Sequence, residues 1–356
     1  MASVTKYQTP KGVRWRVQYT DPTRKRRTKT GFITKKQAEH WAAENIIERN
    51  TGSWIDPQKQ LATVANVHEK WAVTLATAKP TYRRQNALNW KNHVRPRWGD
   101  VALRDITSHD VQEWVLSIDR APSTVRHLHA QLSAILSYAV TLGMLHNNPA
   151  AGVALPKIQK RAKTYLTPQQ LDLFVSCCNE KADLALLLGT TGLRWGEAVA
   201  LRPKDVDFTR RRITISRTAV SIGSKVTFNA PKTGETRTVT APQRTFDALA
   251  DSCAGKKPGE LIWTARDGGA LRTVTGDSWW TWALKRAQDK DPDFPRITPH
   301  SLRHVAAGLL VGAGASVKAV QRQLGHATAA MTLDTYAELF DGDLDEVADA
   351  LDVMFS

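Results

Sequence analysis

The spacing of hydrophobic positions near the start of the chain has a period of two and then becomes helical. Between residues 13 and 20, apolar side chains alternate with polar or basic ones, which predicts a half-buried strand with a basic outer face. A second strand is predicted to reach Gly31-Phe32, and Thr34 is placed to cap a helix after it. The pattern therefore predicts a small sheet backed by one helix over residues 1–57.

Helical spacing dominates the next ninety residues. Thr63 is placed to cap a first helix, Pro80 to begin a second and Ser108 a third. The clearest stripe follows Ser123, and its apolar members are Val125, Leu128, Leu132, Ile135, Leu136, Ala139 and Leu142. These four segments predict a compact four-helix domain over residues 61–150.

A change of composition predicts a domain boundary after the fourth helix. Residues 151–163 mix alanine, glycine, proline and basic residues, which is typical of an extended, exposed linker. Residues 164–340 then form the largest predicted domain. A short amphipathic tail is predicted over residues 341–356, where it either folds back onto its own domain or docks on a neighbouring subunit.

The third predicted domain combines helices with strands. Residues 184–188 are all apolar, which predicts a buried helix, while residues 211–217 and 225–240 alternate like strands, with a turn at residues 231–234. Helices are expected again from Gly276 onwards. The predicted fold class is α+β and multidomain: a small sheet with one helix, an all-α four-helix domain, and a mainly α domain with a small antiparallel sheet.

The distribution of charge indicates the kind of partner. The chain has 356 residues, 42% of them hydrophobic, so it can bury more than one core. Its net charge is +16, although basic composition alone also occurs in proteins that touch anionic lipid or merely stay soluble. The charge is +8, +6, +10 and −8 over residues 1–60, 61–160, 161–333 and 334–356 respectively. Three consecutive basic segments fit a long polyanion better than one small anionic substrate.

Cysteine usage and hydropathy limit the cofactors and the compartment. Cys177, Cys178 and Cys253 form no Cys-x-x-Cys pair, and no histidine cluster has zinc spacing, so neither a disulfide framework nor a metal or other cofactor is expected. The N-terminus has no apolar signal core, and no apolar run approaches the roughly 20 residues that span a bilayer. We therefore expect a protein of the reducing cytoplasm, where bacterial DNA is accessible.

One constellation of polar residues in the second half of the chain points to chemistry. Two arginines, a lysine and two histidines are the donors needed to hold and protonate one phosphodiester, and a tyrosine downstream of them is a candidate nucleophile. In chain order they are Arg194, Lys232, His300, Arg303, His326 and Tyr336. This set predicts an enzyme of DNA strand transfer.

The sequence around these residues resembles the tyrosine recombinase (phage integrase) family over about residues 165–340. Five short motifs occur in the family's order, and together they are far more specific than any one alone: TTGLRWGE at 190–197, PKT at 231–233, HSLRH at 300–304, LGH at 324–326, and Tyr336. By pattern and position, residues 1–57 look like the arm-type DNA-binding domain of heterobivalent integrases. Residues 61–150 look like their core-binding domain.

The resemblance implies a role for each residue. Arg194 and Arg303 would hold the non-bridging phosphate oxygens, a task that suits the planar fork of arginine. Tyr336 would attack the phosphate and form a 3′-phosphotyrosine link. His300 is the family's candidate for taking the tyrosine proton, and His326 would donate a hydrogen bond to the phosphate.

Four further residues have supporting or competing roles. Lys232, at the predicted turn, would protonate the 5′-oxygen leaving group, and Lys225 is its competitor. Glu197, three positions after Arg194, would orient neighbouring catalytic groups. His304 matches a supporting position whose role is open.

Basic residues upstream are expected to contact DNA. They lie on the predicted strands and around the second helix of the four-helix domain: Arg14, Arg16, Arg24, Lys25, Arg26, Arg27, Arg83, Arg84 and Lys91. The alternative for each is a solvated surface charge.

The leading hypothesis is a site-specific integrase of a phage or mobile element, working as a homotetramer through a Holliday junction on core and arm attachment sites. A host DNA-bending protein and an excisionase are the expected partners. The alternatives are a type IB topoisomerase, which shares the chemistry, and a catalytically silent DNA-binding regulator. The separate basic N-terminal module argues against the first, and the intact residue set argues against the second.

Overall fold

The fold is taken from a computed structural model that describes residues 2–21, 25–50, 55, 59–159, 162–223, 225–230, 236–340 and 351–355. Within residues 45–50 and at residue 60 only the backbone is described. Two predicted site residues, Arg24 and Lys232, lie outside the described residues, as does most of the predicted tail. The chain divides into two compact units, Met1–Lys160 and Arg161–Ser356, and each is described by itself.

The first unit begins with an antiparallel sheet of three strands in sequence order. Its strands are β1 (Ser3–Thr9), β2 (Gly12–Thr20) and β3 (Arg26–Phe32), and helix α1 (Lys35–Asn50) follows. The predicted cap is present, because the Gln37 amide donates to Thr34 Oγ1 and Gln37 Oε1 accepts from the Thr34 amide. Strand β1 was not predicted from the sequence.

The small core of this sheet lies between β2 and α1. Val17 and Ala38 are fully buried there, and the rings of Tyr19 and Trp41 are 5.2 Å apart. The alternation predicted for β2 is confirmed at Val17 and Tyr19, which are buried on either side of the exposed Gln18. Val13 departs from it, since its side chain is 47% exposed near the strand's start.

The described residues from 59 to 141 of the first unit are mainly helical. The bounds of the α-helices are α2 (Val64–Thr74), α3 (Pro80–Asn89), α4 (Arg95–Trp98), α5 (Ser108–Ser117) and α6 (Pro122–Thr141). A π-helical turn at Trp90–Val94 carries α3 directly into α4, so the second predicted helix continues to Trp98. Thr63 and Thr107 make reciprocal capping boxes at the starts of α2 and α5.

The stripe predicted on the longest helix forms the centre of the helical core. Leu128, Leu132, Ile135 and Leu136 of α6 are all fully buried, against α2 and the π-helical turn among others. Helix α6 has 20 residues and presents this stripe continuously. Its burial is the main source of stability that the sequence pattern predicts for this part of the chain.

The second unit is mainly helical and carries short strands near its middle. Its elements are α7 (Pro168–Ser176), α8 (Ala182–Thr191), α9 (Trp195–Ala198), β4 (Val206–Asp207), β5 (Arg212–Ile215), β6 (Thr218–Ile222), β7 (Lys225–Asn229), β8 (Arg237–Val239), α10 (Gln243–Cys253), α11 (Trp279–Lys290), α12 (Ser301–Gly312), α13 (Val317–Leu324) and α14 (Ala329–Tyr336). The predicted buried helix is α8, and Thr167 caps α7. Helix α10 lies in a segment to which no element was assigned from the sequence.

The strands of this unit form two sheets rather than the single one predicted. Strands β4, β5 and β8 pair in that order, and β6 and β7 form a separate hairpin. The reason is local: Gly223, with φ of 63°, turns the chain back after β6, so β6 and β7 pair with each other, while β8 pairs with β5. The turn predicted at residues 231–234 lies outside the described residues.

Within the described part of the chain, no helix is both long enough and apolar enough to cross a membrane.

The central position of Leu132 makes a direct test of the helical core. Leu132→Ala is expected to reduce the free energy of unfolding by about 2–5 kcal/mol, because it leaves a cavity among fully buried side chains. Leu116→Ala is the matched control, since Leu116 on α5 is 76% exposed and should cost under about 0.5 kcal/mol. Equilibrium urea unfolding measures both, and equal losses would contradict this assignment of the core.

Candidate active site

The turn between α8 and α9 places Arg194. Helix α8 ends at Gly192, whose φ of 69° is left-handed, and Arg194 then takes the N-cap position of α9. A Cβ atom on Gly192 would lie 2.4 Å from Leu324 Cδ2, so the turn also packs closely against α13. Glycine is therefore needed at residue 192 both for backbone conformation and for space.

Glu197 is a buried carboxylate shared by two arginines. Its side chain is 2% exposed, and it accepts from Arg194 Nη1 at 3.0 Å and from Arg237 Nη1 and Nη2 at 3.0 and 2.7 Å. Burial alone would raise its pKa, but the hydrogen bonds and charge of Arg237, followed by those of Arg194, hold the pKa below its ordinary value. Glu197 is thus an anion at neutral pH.

Arg303 enters the same cluster from α12. It is 3% exposed, and its Nη1 donates to the Gly192 carbonyl oxygen at 2.7 Å. Its Nη2 is buried and finds no hydrogen-bond partner among the described residues. Burial, with the nearby charge of Arg194, lowers the pKa of Arg303 to about 10, so the guanidinium remains charged at neutral pH.

His304, whose role the sequence left open, contacts the candidate nucleophile. A hydrogen bond of 2.9 Å joins His304 Nδ1 and Tyr336 Oη. His300 lies at the N-cap of α12, and its ring meets that of His304 edge-on with centroids 5.3 Å apart. Burial, followed by the charge on Arg303 and Arg194, lowers the pKa of His300. The structure therefore places His304 directly at the phenol, with His300 behind it.

The turn after α13 places His326. Gly325 ends that helix with φ of 69°, and His326 Nδ1 lies 3.0 Å from the buried hydroxyl of Thr332 on α14. Burial, then the charges of Arg303, Arg194 and Arg237, lower the pKa of His326 to about 4. These couplings put His326 in the arginine cluster, and its ring stacks near Tyr336 with centroids 6.2 Å apart.

Tyr336 is enclosed at the end of α14. Its side chain is 1% exposed, and burial raises its pKa, an effect that the charge of Arg303 partly offsets. Lys163 Nζ lies 5.6 Å from the centre of the phenol ring and donates to the Thr335 carbonyl oxygen and to Glu338. The Tyr165 hydroxyl also donates to Glu338, at 2.7 Å. This network fixes the chain on both sides of Tyr336.

The structure brings together most of the predicted catalytic set. Arg194, His300, Arg303, His326 and Tyr336 are linked by the contacts and electrostatic couplings above, and Glu197 and His304 complete the cluster. Lys225, the alternative to Lys232, is the exposed first residue of β7. Among the described residues, no group of histidine, cysteine or carboxylate side chains is arranged to hold a metal ion.

Two residues of the cluster were missed by the sequence analysis. Arg237 follows the Pro-Lys-Thr motif at the start of β8, and Lys163 lies at the end of the predicted linker. The only sequence signal for either was a basic residue beside a motif or boundary, which is common in a chain with 50 lysines and arginines.

The basic residues predicted to contact DNA differ in exposure and in whether their side chains already bond to the protein. Arg83, Arg84 and Lys91, on α3 and its π-helical continuation, are exposed, as are Lys25 and Arg26 beside β3. Arg16 is half-buried and donates to Thr5 Oγ1, Arg14 Nη1 donates to the Val13 carbonyl oxygen, and Arg27 pairs with Asp21 at 3.1 Å. The five exposed residues are therefore more available to bind an external anion than the three that bond to the protein.

Comparison with known proteins identifies the family. Residues 164–342 match the phage integrase family, and residues 61–155 match the central domain of phage integrases. The chain belongs to the phage integrase family. The integrase of Mycobacterium phage L5 is 29% identical over 321 residues, which cover 85% of this chain and 84% of that protein. As a tyrosine recombinase, the protein is an enzyme of DNA cleavage and rejoining.

Solved structures agree with this family fold. The Tn1549 transposon integrase in complex with a circular intermediate DNA has a TM-score of 0.70 at 21% identity, covering 82% of this chain and 99% of that one. The lambda integrase tetramer bound to a Holliday junction has a TM-score of 0.58 at 18% identity, covering 91% and 96%. The predicted mixture of many helices with small antiparallel sheets is therefore confirmed as a tyrosine recombinase fold.

The lowered histidine pKa values predict how stability depends on pH. Burial, followed by the charge on His300, lowers the pKa of His304 to about 4. The pKa of His326 is also lowered to about 4. Between pH 6.5 and 4 the unfolded chain binds protons that the folded chain excludes, so the free energy of unfolding should fall as the pH falls. Each histidine contributes less than about 1.4 kcal/mol per pH unit, because the rings are only partly buried.

Urea unfolding at pH 7, 6 and 5 measures this slope. His304→Asn removes one of the two groups and is expected to flatten the curve. A variant curve parallel to that of the unaltered protein would contradict the assignment.

Proposed function

We propose that this integrase cleaves and rejoins attachment-site DNA through a 3′-phosphotyrosine on Tyr336, exchanging strands through a Holliday junction to integrate a phage or mobile element. The observation that carries the proposal is the hydrogen bond between Tyr336 Oη and His304 inside a cluster with surplus positive charge. A phenol held by an imidazole beside unneutralised arginines suits attack on a phosphodiester.

Arg194 and Arg303 bind the non-bridging oxygens of the scissile phosphate. Arg303 is preorganised for this task, since its Nη1 is fixed to the Gly192 carbonyl oxygen while Nη2 has no partner among the described residues. Arg194 is one-third exposed and therefore accessible to DNA. Donors already aimed at the site stabilise the developing charge without reorganisation during the reaction.

Tyr336 requires help to lose its proton, because burial has raised its pKa. His304 is neutral at pH 7, since its pKa is about 4, and its Nε2–H tautomer leaves Nδ1 free to accept the phenolic proton. Since Tyr336 is 1% exposed, the segment that carries it has to shift before the phosphate reaches Oη. The phosphotyrosine conserves the energy of the broken bond, so rejoining needs no ATP.

The remaining groups serve the phosphate and the leaving group. A hydrogen bond from the Thr332 hydroxyl to His326 Nδ1 leaves the other ring nitrogen, as an N–H donor, for a phosphate oxygen. His300, at the start of α12 beside Arg303, supports His304 and the arginine cluster. Lys232 protonates the 5′-oxygen as it leaves.

The upstream segments act as DNA-binding modules in this proposal. Residues 1–57 bind arm-type sites through basic residues beside β2 and β3, and residues 61–150 bind the core site through Arg83, Arg84 and Lys91, which are exposed on one helical segment. Residues 151–163 link these modules to the catalytic domain at 164–340. The C-terminal tail, of which residues 351–355 are helical and exposed, docks on a neighbouring subunit.

The assembly proposed is a homotetramer on two attachment sites in the cytoplasm of a bacterial host. One protomer bridges a core and an arm site, which requires sharply bent DNA and hence a host DNA-bending protein. An excisionase is proposed for the reverse reaction.

A suicide substrate tests the nucleophile. The protein is incubated with nicked attachment-core DNA without metal or ATP, and a covalent protein–DNA adduct is scored on a denaturing gel. Tyr336→Phe should form less than about 1% of the normal adduct, because only the attacking oxygen is removed. Tyr138→Phe, which alters a phenol on α6 of the first unit, is the control and should retain adduct formation. An adduct that persists in Tyr336→Phe would contradict the assignment.

The arm-binding role is tested by separating cleavage from integration. Neutralising the exposed Lys25 and Arg26 to glutamine, or deleting residues 1–57, should reduce integration by about tenfold or more and leave cleavage of core DNA intact. Integration is scored by recombination between two plasmids, and cleavage by the adduct assay. Equal integration by the truncated protein would reject an arm-binding role for this segment.

A further inference from the structure

Arg237 makes a two-bond contact in the candidate active-site cluster, yet the proposed chemistry assigns it no step. It lies at the start of β8, its side chain is 13% exposed, and both terminal nitrogens bond to Glu197, at 3.0 and 2.7 Å. This is the parallel, two-bond geometry in which arginine holds a carboxylate best. The contact joins residues 40 positions apart.

Arg194 shares the same carboxylate but uses it differently. Its backbone amide donates to Glu197 Oε2 and, of its guanidinium nitrogens, only Nη1 donates to Glu197, each at 3.0 Å. The other guanidinium nitrogens make no hydrogen bond to the described residues. The carboxylate is 2% exposed and ionised, so its negative charge must be matched by a nearby cation. Arg237 already supplies that cation. The Nη2 and Nε atoms of Arg194 therefore remain available to bind another anion.

We propose that Arg237 is a positioning residue for strand cleavage: it occupies Glu197 so that the guanidinium of Arg194 stays free for the scissile phosphate. This inference rests on the proposed phosphotyrosine reaction. Without Arg237, the buried carboxylate has only Arg194 as a close partner and draws both of its terminal nitrogens away from the phosphate. The phosphate would then compete with a fixed, desolvated anion for the same donor.

A second contact connects Arg237 to the other side of the site. A Cβ atom on Gly325 would lie 2.6 Å from Arg237 Nε and 2.7 Å from its Cδ, so the side chain packs directly under the turn that carries His326. Its charge also contributes to the lowered pKa of His326. Arg237 thus supports both the arginine and the histidine that face the phosphate, and only glycine at residue 325 permits this approach.

A double-mutant cycle tests the inference, because the proposed role acts through the charge of Glu197. The variants are Arg237→Gln, Glu197→Gln and the two combined, and the readout is the single-turnover rate of adduct formation on the suicide substrate at saturating protein. Arg237→Gln is expected to slow this rate by about 10- to 100-fold. The double variant should be at least about fivefold faster than Arg237→Gln, since no unmatched carboxylate remains to draw Arg194 away.

Two further variants keep the test decisive. Arg237→Lys retains the charge beside Glu197, so its single-turnover rate of adduct formation should fall by less than about tenfold. This variant keeps the test valid even if Arg237→Gln does not fold. Arg244→Gln breaks an exposed arginine–carboxylate pair with Asp172 outside the site and should stay within about twofold of the unaltered protein. Circular dichroism of each variant reports folding.

The outcomes distinguish a failure of this inference from a failure of the proposed phosphotyrosine reaction. Rescue in the double variant, with Arg237→Gln folded by circular dichroism, supports the positioning role, because a residue that merely stabilised the fold would slow cleavage only where folding is lost. Additive losses, or Arg237→Lys as slow as Arg237→Gln, would overturn the inference while leaving the reaction in place. An unaltered protein that forms no adduct would contradict the proposed function, and the positioning role with it.

Discussion

The active site depends on positive charge that the protein itself does not fully neutralise. Two arginines, Arg194 and Arg237, bond to one buried carboxylate, Glu197, and the charge of a third, Arg303, is coupled to all three groups. Arg303 is almost fully buried, and one of its terminal nitrogens finds no hydrogen-bond partner among the described residues. Buried charge without full pairing is costly, and in the proposed reaction a phosphodiester supplies both the missing charge and the missing acceptors. The lowered histidine pKa values are a second consequence of burial and of this surplus.

Two glycines allow other side chains to pack directly against the backbone, and this brings the arginines and histidines of the cluster together. Gly192 and Gly325 both end helices in the left-handed conformation, and both have a side chain from a distant segment where a Cβ atom would be. Leu324 occupies that space at Gly192 and Arg237 occupies it at Gly325. The candidate catalytic side chains therefore leave rigid helix ends. Packing sets the direction of these helix ends and so restricts the positions open to each donor.

The sequence predicted the parts of this structure that depend on local signals. Thr63 located the start of α2 and Ser108 that of α5, and the apolar stripe of α6 proved to be the helical core. Strand β1 was missed because its alternation is carried mainly by threonine, lysine and glutamine. The motifs gave Arg194, Arg303 and Tyr336, but the contacts of His304 and Arg237 join residues 32 and 40 positions apart, and no local pattern encodes such pairs. The role of Lys232 stays a prediction.

The central claim is that Tyr336, held by His304 within the arginine cluster, carries the covalent link to DNA. It is tested most directly by locating that link chemically. The trapped protein–DNA adduct is digested with nuclease and protease, and the peptide that retains a nucleotide is sequenced by mass spectrometry. The account predicts a 3′-linked nucleotide on the Tyr336 side chain. A nucleotide on Tyr165, on any other residue, or linked through its 5′-phosphate would contradict it.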